Sequence, residues 1–225
     1  MKDNVRVIDV RRLGAASLLA VLLCGCDIGA IAQPLPFDVT EKADFDEPWA
    51  IACLPDGRAL VTEKRGRLLL WSEGEGTIEI DGVPEVRYGG QGGFGDVVLH
   101  PDFARNSHIY LSYAESGDGG NAGAAVARAR LDIGNRQLAD LEVIWRQVPK
   151  VSGGGHYGHR MAFDEAGLLW VSSGERQKFD PSQDMTSNMG KILRLNDDGS
   201  VAADNPFVGD DPVTSQIWSL GHRNP

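Results

Sequence analysis

One phrase recurs along this chain: an apolar strand, a tight turn marked by Pro or Asp, and a second apolar strand ending in a polar residue. Its first copy occupies residues 48–54, turns at Pro55-Asp56-Gly57-Arg58, and continues through residues 59–62. A second turn at 64–67 leads into residues 68–71. The second copy places strands at 95–99, 108–113, 125–131 and 142–147, with a turn at 100–106 and a polar, glycine-rich loop at 116–123. The third has strands at 160–163, 168–175, 190–195 and 216–221. Each turn carries a glycine or Asn/Asp where a positive φ comes at little cost.

Units of about 45 to 60 residues, each a small antiparallel sheet, read as propeller blades rather than as a sandwich. Three copies and the start of a fourth are expected. A closed propeller has typically about four to eight blades, so residues 37–225 are expected to form the N-terminal part of a longer all-β propeller. The 28 glycines suit many short strands and turns. The formal charge of −10 argues against binding nucleic acid through its phosphates.

The N-terminus reads differently. Lys2, Arg6, Arg11 and Arg12 precede an apolar run at 13–23. That run is short for a membrane span and has the layout of a secretory signal. It ends in Leu23-Cys24-Gly25-Cys26, which resembles a bacterial lipoprotein signal. Residues 1–25 are then a signal peptide, Cys26 the lipidated residue, and 26–36 a tether with small residues and two prolines. The expected location is the bacterial periplasm, with the protein anchored to the membrane by lipid. Only Cys53 would remain beyond the anchor, so no intrachain disulfide is expected, and Cys53 reads as a small buried apolar residue.

Three glycine-rich segments precede the first strands of successive units: Gly89-Gly90-Gln91-Gly92-Gly93, residues 153–160, and Gly221-His222-Arg223-Asn224-Pro225. In a propeller such loops gather at one end of the channel. The middle one, Gly153-Gly154-Gly155-His156-Tyr157-Gly158-His159-Arg160, carries two imidazoles, and an imidazole titrates at about pH 6.5, close to where a general base is most useful. Read locally, it is a mobile turn with solvated histidines before it is anything else. A zinc pair of His156 and His159 lacks a third ligand at metal-site spacing.

Together these phrases resemble the soluble, quinoprotein-type aldose dehydrogenases of the glucose/sorbosone dehydrogenase family. The matching stretches are Gly90-Gln91-Gly92-Gly93 with Leu99-His100-Pro101-Asp102-Phe103, residues 156–160, residues 189–196, Asp204-Asn205-Pro206 and residues 220–225. They fall in the family's order from about residue 48 onward. The resemblance implies a six-bladed propeller that binds pyrroloquinoline quinone (PQQ) and oxidises aldose sugars at C1 to lactones, with electrons passing on to a membrane acceptor. It makes His156 the general base and Glu175 the carboxylate that orients it, where members often have Asp. Gln91 then lies near sugar and cofactor, while Arg223 and Asn224 contact the quinone, with Arg223 polarising its carbonyl. Arg160 is expected in a structural ion pair or backbone contact, and His159, usually a small residue in the family, as an exposed bystander. A Ca2+ ion that seats the quinone is expected to draw its ligands from later blades, which leaves this stretch inactive alone. Two other readings use the same propeller: a metal-dependent sugar lactonase, and a non-catalytic lipoprotein that binds carbohydrate or protein.

Overall fold

The computed structural model describes the backbone of residues 4–12, together with residues 37–209 and 211–225. The leader's apolar run, Cys24, Cys26 and the tether lie outside the described residues. β1 (Asn4–Arg12) pairs antiparallel with β2 (Phe37–Asp46).

Three four-stranded antiparallel meanders follow. The first is β3 (Pro48–Cys53), β4 (Ala59–Glu63), β5 (Arg67–Ser72) and β6 (Gly76–Ile80). The second is β7 (Phe94–Leu99), β8 (His108–Ser116), β9 (Ala122–Asp132) and β10 (Gln137–Arg146). The third is β11 (Gly158–Phe163), β12 (Leu169–Ser173), β13 (Lys191–Leu195) and β14 (Ile217–Leu220). A single α-helical turn, α1 (Phe103–Asn106), interrupts the second sheet. The first sheet thus has one strand more than its sequence pattern suggested. No fourth four-stranded sheet forms among the described residues, and β14 closes the third.

Period-two alternation assigns the faces. Ile109, Leu111 and Tyr113 of β8 join Leu60, Leu68, Leu70, Phe94 and Val97 in a core between the first two sheets. Tyr110 and Ala114, with the opposite parity, join Leu169, Val171, Leu193 and Ile217 in a core between the second and third. β8 is therefore covered on both faces, which explains its nearly unbroken apolar run. Phe45 of β2 packs on Val61 and Leu69, on the far face of the first sheet. Cys53, expected to be buried, is exposed at the end of β3, where the strand runs out into the turn.

The inner strands β3, β7 and β11 are joined by a repeated device. Each has a register shift, at Pro48/Ala50, Phe94/Val97 and Gly158/Met161. Such a shift leaves a backbone N–H without its ladder partner. A hydroxyl on the second strand of the same sheet accepts that N–H: Thr62 from Ala50 at 3.1 Å, Ser112 from Asp96 at 2.8 Å, and Ser172 from Arg160 at 3.0 Å. The same hydroxyls donate across the seam to Gly95 O (2.7 Å), His159 O (2.7 Å) and Pro225 O (3.0 Å). Pro225 thus occupies the place that Gly95 and His159 hold in the preceding seams. Leaving either buried backbone partner unmatched would cost about 1–3 kcal/mol. The buried Asp96 carboxylate adds a second clasp, accepting from Met161 N at 2.9 Å.

Candidate functional site

The loop before β11 and the end of β12 converge at His156. Gly174, just before Glu175, has no side chain to keep the strands apart: a Cβ there would lie 2.1 Å from His156 O. His156 takes φ +47, in the left-handed region uncommon for such a residue, and is buried. Its Nδ1 meets Glu175 Oε1 in a short, buried contact. An ionised carboxylate only accepts, so Nδ1 carries the proton and Nε2 keeps a free lone pair.

Glu175 is itself fixed. Its Oε2 accepts from Phe179 N at 2.6 Å, and its own N–H donates to Arg223 O at 2.9 Å. Burial acts to raise its carboxyl, but the Phe179 N–H, the His156 ring and the N–H groups of Lys178 and Gln177 outweigh that and hold it below its ordinary value. The longer Glu therefore reaches the ring and an anchor at once. Its anchor is a tight γ-turn in which Asp180 N donates to Lys178 O at 2.9 Å, with Phe179 at φ +61 and ψ −76.

Gln91 ties the first glycine loop to the second. Its Oε1 accepts from His156 N at 2.7 Å, and its N–H donates to Gly154 O at 2.7 Å. Gly90 allows this approach, because a Cβ there would come within 2.5 Å of Gly154 O. Asn224 Oδ1 accepts from Gly158 N at 3.0 Å. His156, Glu175 and Gln91 are thus brought together by direct bonds, and Asn224 is tied to the same loop at Gly158. Arg223 joins through its backbone, and its side chain is exposed.

Beside them lies a cavity of about 320 Å³ lined by Trp49, Lys64, Gly90, Gln91, Tyr157, Gly158, His159 and Asn224. Its wall offers an ammonium, two amides and three aromatic rings, and no carboxylate. Lys64 Nζ donates to Gly90 O at 2.5 Å. Among the described residues, no three His, Cys, Asp or Glu side chains form a group that could hold a metal ion. No described helix is long and apolar enough to cross a membrane.

His159 is not the exposed bystander that the sequence suggested. It is buried, stacked on Tyr157 (5.3 Å between ring centroids, 6° between planes) and edge-on to Trp49 at 5.9 Å. Alternation along β11 turns it between the sheets, and Gly95 opposite leaves room for the ring. Neither ring nitrogen has a hydrogen-bond partner. Arg160 is exposed, stacked over Trp49 at 4.2 Å and 3.5 Å from Asp96 Oδ1.

Sequence reasoning passed over Arg176. It is buried, and its guanidinium donates to Gly155 O (2.9 Å), Ala122 O (2.6 Å) and Gly153 O. A basic residue after a strand-end acid ordinarily reads as solvated, and nothing local in the sequence marks this one as interior.

A family model described as Glucose / Sorbosone dehydrogenase matches residues 45–225. Aldose sugar dehydrogenase YliI of Escherichia coli K12 is 44% identical over 197 residues, which cover 86% of this chain and 53% of that protein. The crystal structure of the soluble aldose sugar dehydrogenase from Escherichia coli in its apo form matches with a TM-score of 0.77 at 44% identity, over 80% of this chain and 52% of that one. The PQQ-bound aldose sugar dehydrogenase of Streptomyces coelicolor matches with a TM-score of 0.71 at 31% identity, over 80% of this chain and 52% of that one. The chain spans about half the length of the curated relatives it matches.

Proposed function

The chain belongs to the glucose/sorbosone dehydrogenase family, and on that premise we propose that the whole protein oxidises aldose sugars at C1 to lactones with PQQ as acceptor. Its all-β fold is that of the six-bladed quinoprotein glucose dehydrogenase propeller, represented among the described residues by three blades. The observation that carries the proposal is His156, held through Nδ1 by Glu175 so that Nε2 is left basic.

The cavity wall suits such a cofactor. A planar, polyanionic quinone would find an aromatic wall there, and donors in Lys64 and the amides of Gln91 and Asn224. Arg223, with its exposed guanidinium, is the further group proposed to face a quinone oxygen, where a fixed cation would stabilise developing negative charge. When bound, PQQ supplies the two-electron acceptor for the C1 hydride.

The chain's own residues handle the proton. His156 Nε2 takes it from the anomeric hydroxyl as the C1–H pair leaves, so the C1–O bond becomes the lactone carbonyl. Glu175 stays ionised, holds the tautomer and stabilises the imidazolium that forms, the role of the acid in a catalytic triad. The exposed Gln91 amide is proposed to hydrogen-bond the sugar, since one group both donates and accepts.

The test is dye reduction by the full-length protein with several aldoses, with and without PQQ and calcium. Absence of quinone-dependent turnover with every aldose tried would refute the proposal. Glu175→Gln is expected to lower kcat by about 10²-fold or more, because a neutral amide no longer fixes the Nδ1–H tautomer or offsets the imidazolium. We further propose a lipid anchor at Cys26 and a periplasm-facing site that passes electrons to a membrane acceptor, on the strength of Leu23-Cys24-Gly25-Cys26. Labelled palmitate should enter the protein in cells and fail to enter Cys26→Ala; equal labelling of both would rule out that anchor.

A further inference from the structure

The base is held through its ring by Glu175, but the loop that delivers it is held by something else. Gly153, Gly154 and Gly155 have little intrinsic preference for one path, and fixing such residues costs more conformational entropy than fixing any others. A defined position for His156 therefore needs an outside template.

Arg176 has the geometry of that template. Its Nε and Nη2 donate to the carbonyls of Gly155 and Gly153, on the two sides of Gly154. Nη1 donates to Ala122 O, on the second sheet. Its backbone N–H donates to His156 O at 3.1 Å. The guanidinium plane lies on the Tyr157 ring, with its carbon 3.6 Å from the ring centroid. Every contact falls on the His156 loop or on the neighbouring strand that braces it.

The charge is buried with only 1% of the residue exposed, and no carboxylate pairs with it among the described residues. Among the described residues its side-chain hydrogen bonds all go to carbonyl oxygens, and one aromatic face stacks on it. Burying a cation in this way is costly, and a single point donor could not reach three divergent acceptors. Successive residues at the end of β12 thus hold different parts of the base, with Glu175 fixing the ring and Arg176 fixing the backbone beneath it. The positive φ of Arg176 (+59) turns its side chain back under the loop.

We propose that Arg176 is a positioning residue for His156, templating the glycine loop so that the imidazole keeps one place and one tautomer. This rests on the reading of His156 as the base, so the test has two arms. In the first, 15N NMR of the full-length protein without quinone reads the His156 ring. The wild type should show a protonated Nδ1 and a bare Nε2, and Arg176→Lys and Arg176→Met should show mixed or averaged tautomers. In the second, quinone-dependent turnover should fall by about 10- to 100-fold in kcat, the scale of a displacement of roughly 1 Å, with KM within about threefold. An unchanged His156 signature in both variants overturns the proposal. So does loss of the folded state in both, because Arg176 would then hold the blade rather than the base. A changed signature with no quinone-dependent turnover even in the wild type would leave the positioning role standing and remove the dehydrogenase reading.

Discussion

Replacing His156 with Ala in the full-length protein is expected to lower kcat for quinone-dependent sugar oxidation by about 10²- to 10⁴-fold, the usual worth of a positioned general base. Stability should change little by comparison. The ring makes one side-chain hydrogen bond, to Glu175, whereas the backbone N–H and C=O of residue 156 keep their partners Gln91 and Arg176. KM should move less than kcat, because the proton is transferred in the transition state and the bound sugar does not yet need it. Stopped-flow dye reduction on the quinone-loaded protein separates the two constants. A variant within twofold of wild type in kcat would mean that another group takes the proton.

The second large effect concerns the other histidine of the same loop. Burial first, and then the positive charge of Arg176, push the His159 imidazole down to about 3. In the unfolded chain the ring returns to its ordinary value, about 6.5. Between these values the unfolded state binds a proton that the folded state refuses. Stability is therefore fully present above pH 6.5 and falls on acidification until the folded group titrates near 3. The slope approaches about 1.4 kcal/mol per pH unit, or about 2 kcal/mol between pH 6.5 and 5. Most carboxylates remain ionised in that window, so histidines dominate it; His108, which burial also holds below its ordinary value, adds a smaller contribution of the same sign. Urea denaturation of wild type and His159→Leu at pH 7.5, 6.5 and 5 is the measurement. The variant should lose most of the slope, keeping the smaller part that His108 contributes, and an identical slope in both proteins would show that His159 is not its source.

Much of the fold was legible because a sheet covered on both faces needs long apolar runs with short turns between them. Residues 108–113 announce β8 in this way. The outer strands were harder to read. Gly76–Ile80 alternates weakly and ends the sheet with mostly exposed residues, so periodicity has little burial to report. Residues 137–141 were missed because Asp140, at φ +55, sits within a register shift of β10 and breaks the alternation.

The site divides in the same way. His156, Glu175, Gln91 and Asn224 lie in glycine-marked segments or at a strand end, where sequence shows that special backbone is required. His159 and Cys53 were misread, and Arg176 was passed over, because exposure depends on which neighbour covers a position. Nothing in Gly158-His159-Arg160 says that Gly95, from a strand over sixty residues earlier, leaves a slot for the ring. Arg176 is harder still, since its partners are carbonyl oxygens, which every residue carries and no side-chain pattern records.

The hydroxyls of Thr62, Ser112 and Ser172 also bear on how such proteins can be recombined. In the first two seams the hydroxyl belongs to the earlier sheet and the accepting carbonyl to the later one, and Ser172 of the third sheet donates in the same sense to Pro225. The joint is thus directional, and a whole sheet transplanted from a relative would have to match a donor on one side and an acceptor on the other. Crossovers placed in the outer turns, between the third and fourth strands, would carry each seam intact within one parent. Chimaeras cut there should fold more often than chimaeras cut in the glycine-rich loops, where the boundary passes through both the joint and the residues that hold the base.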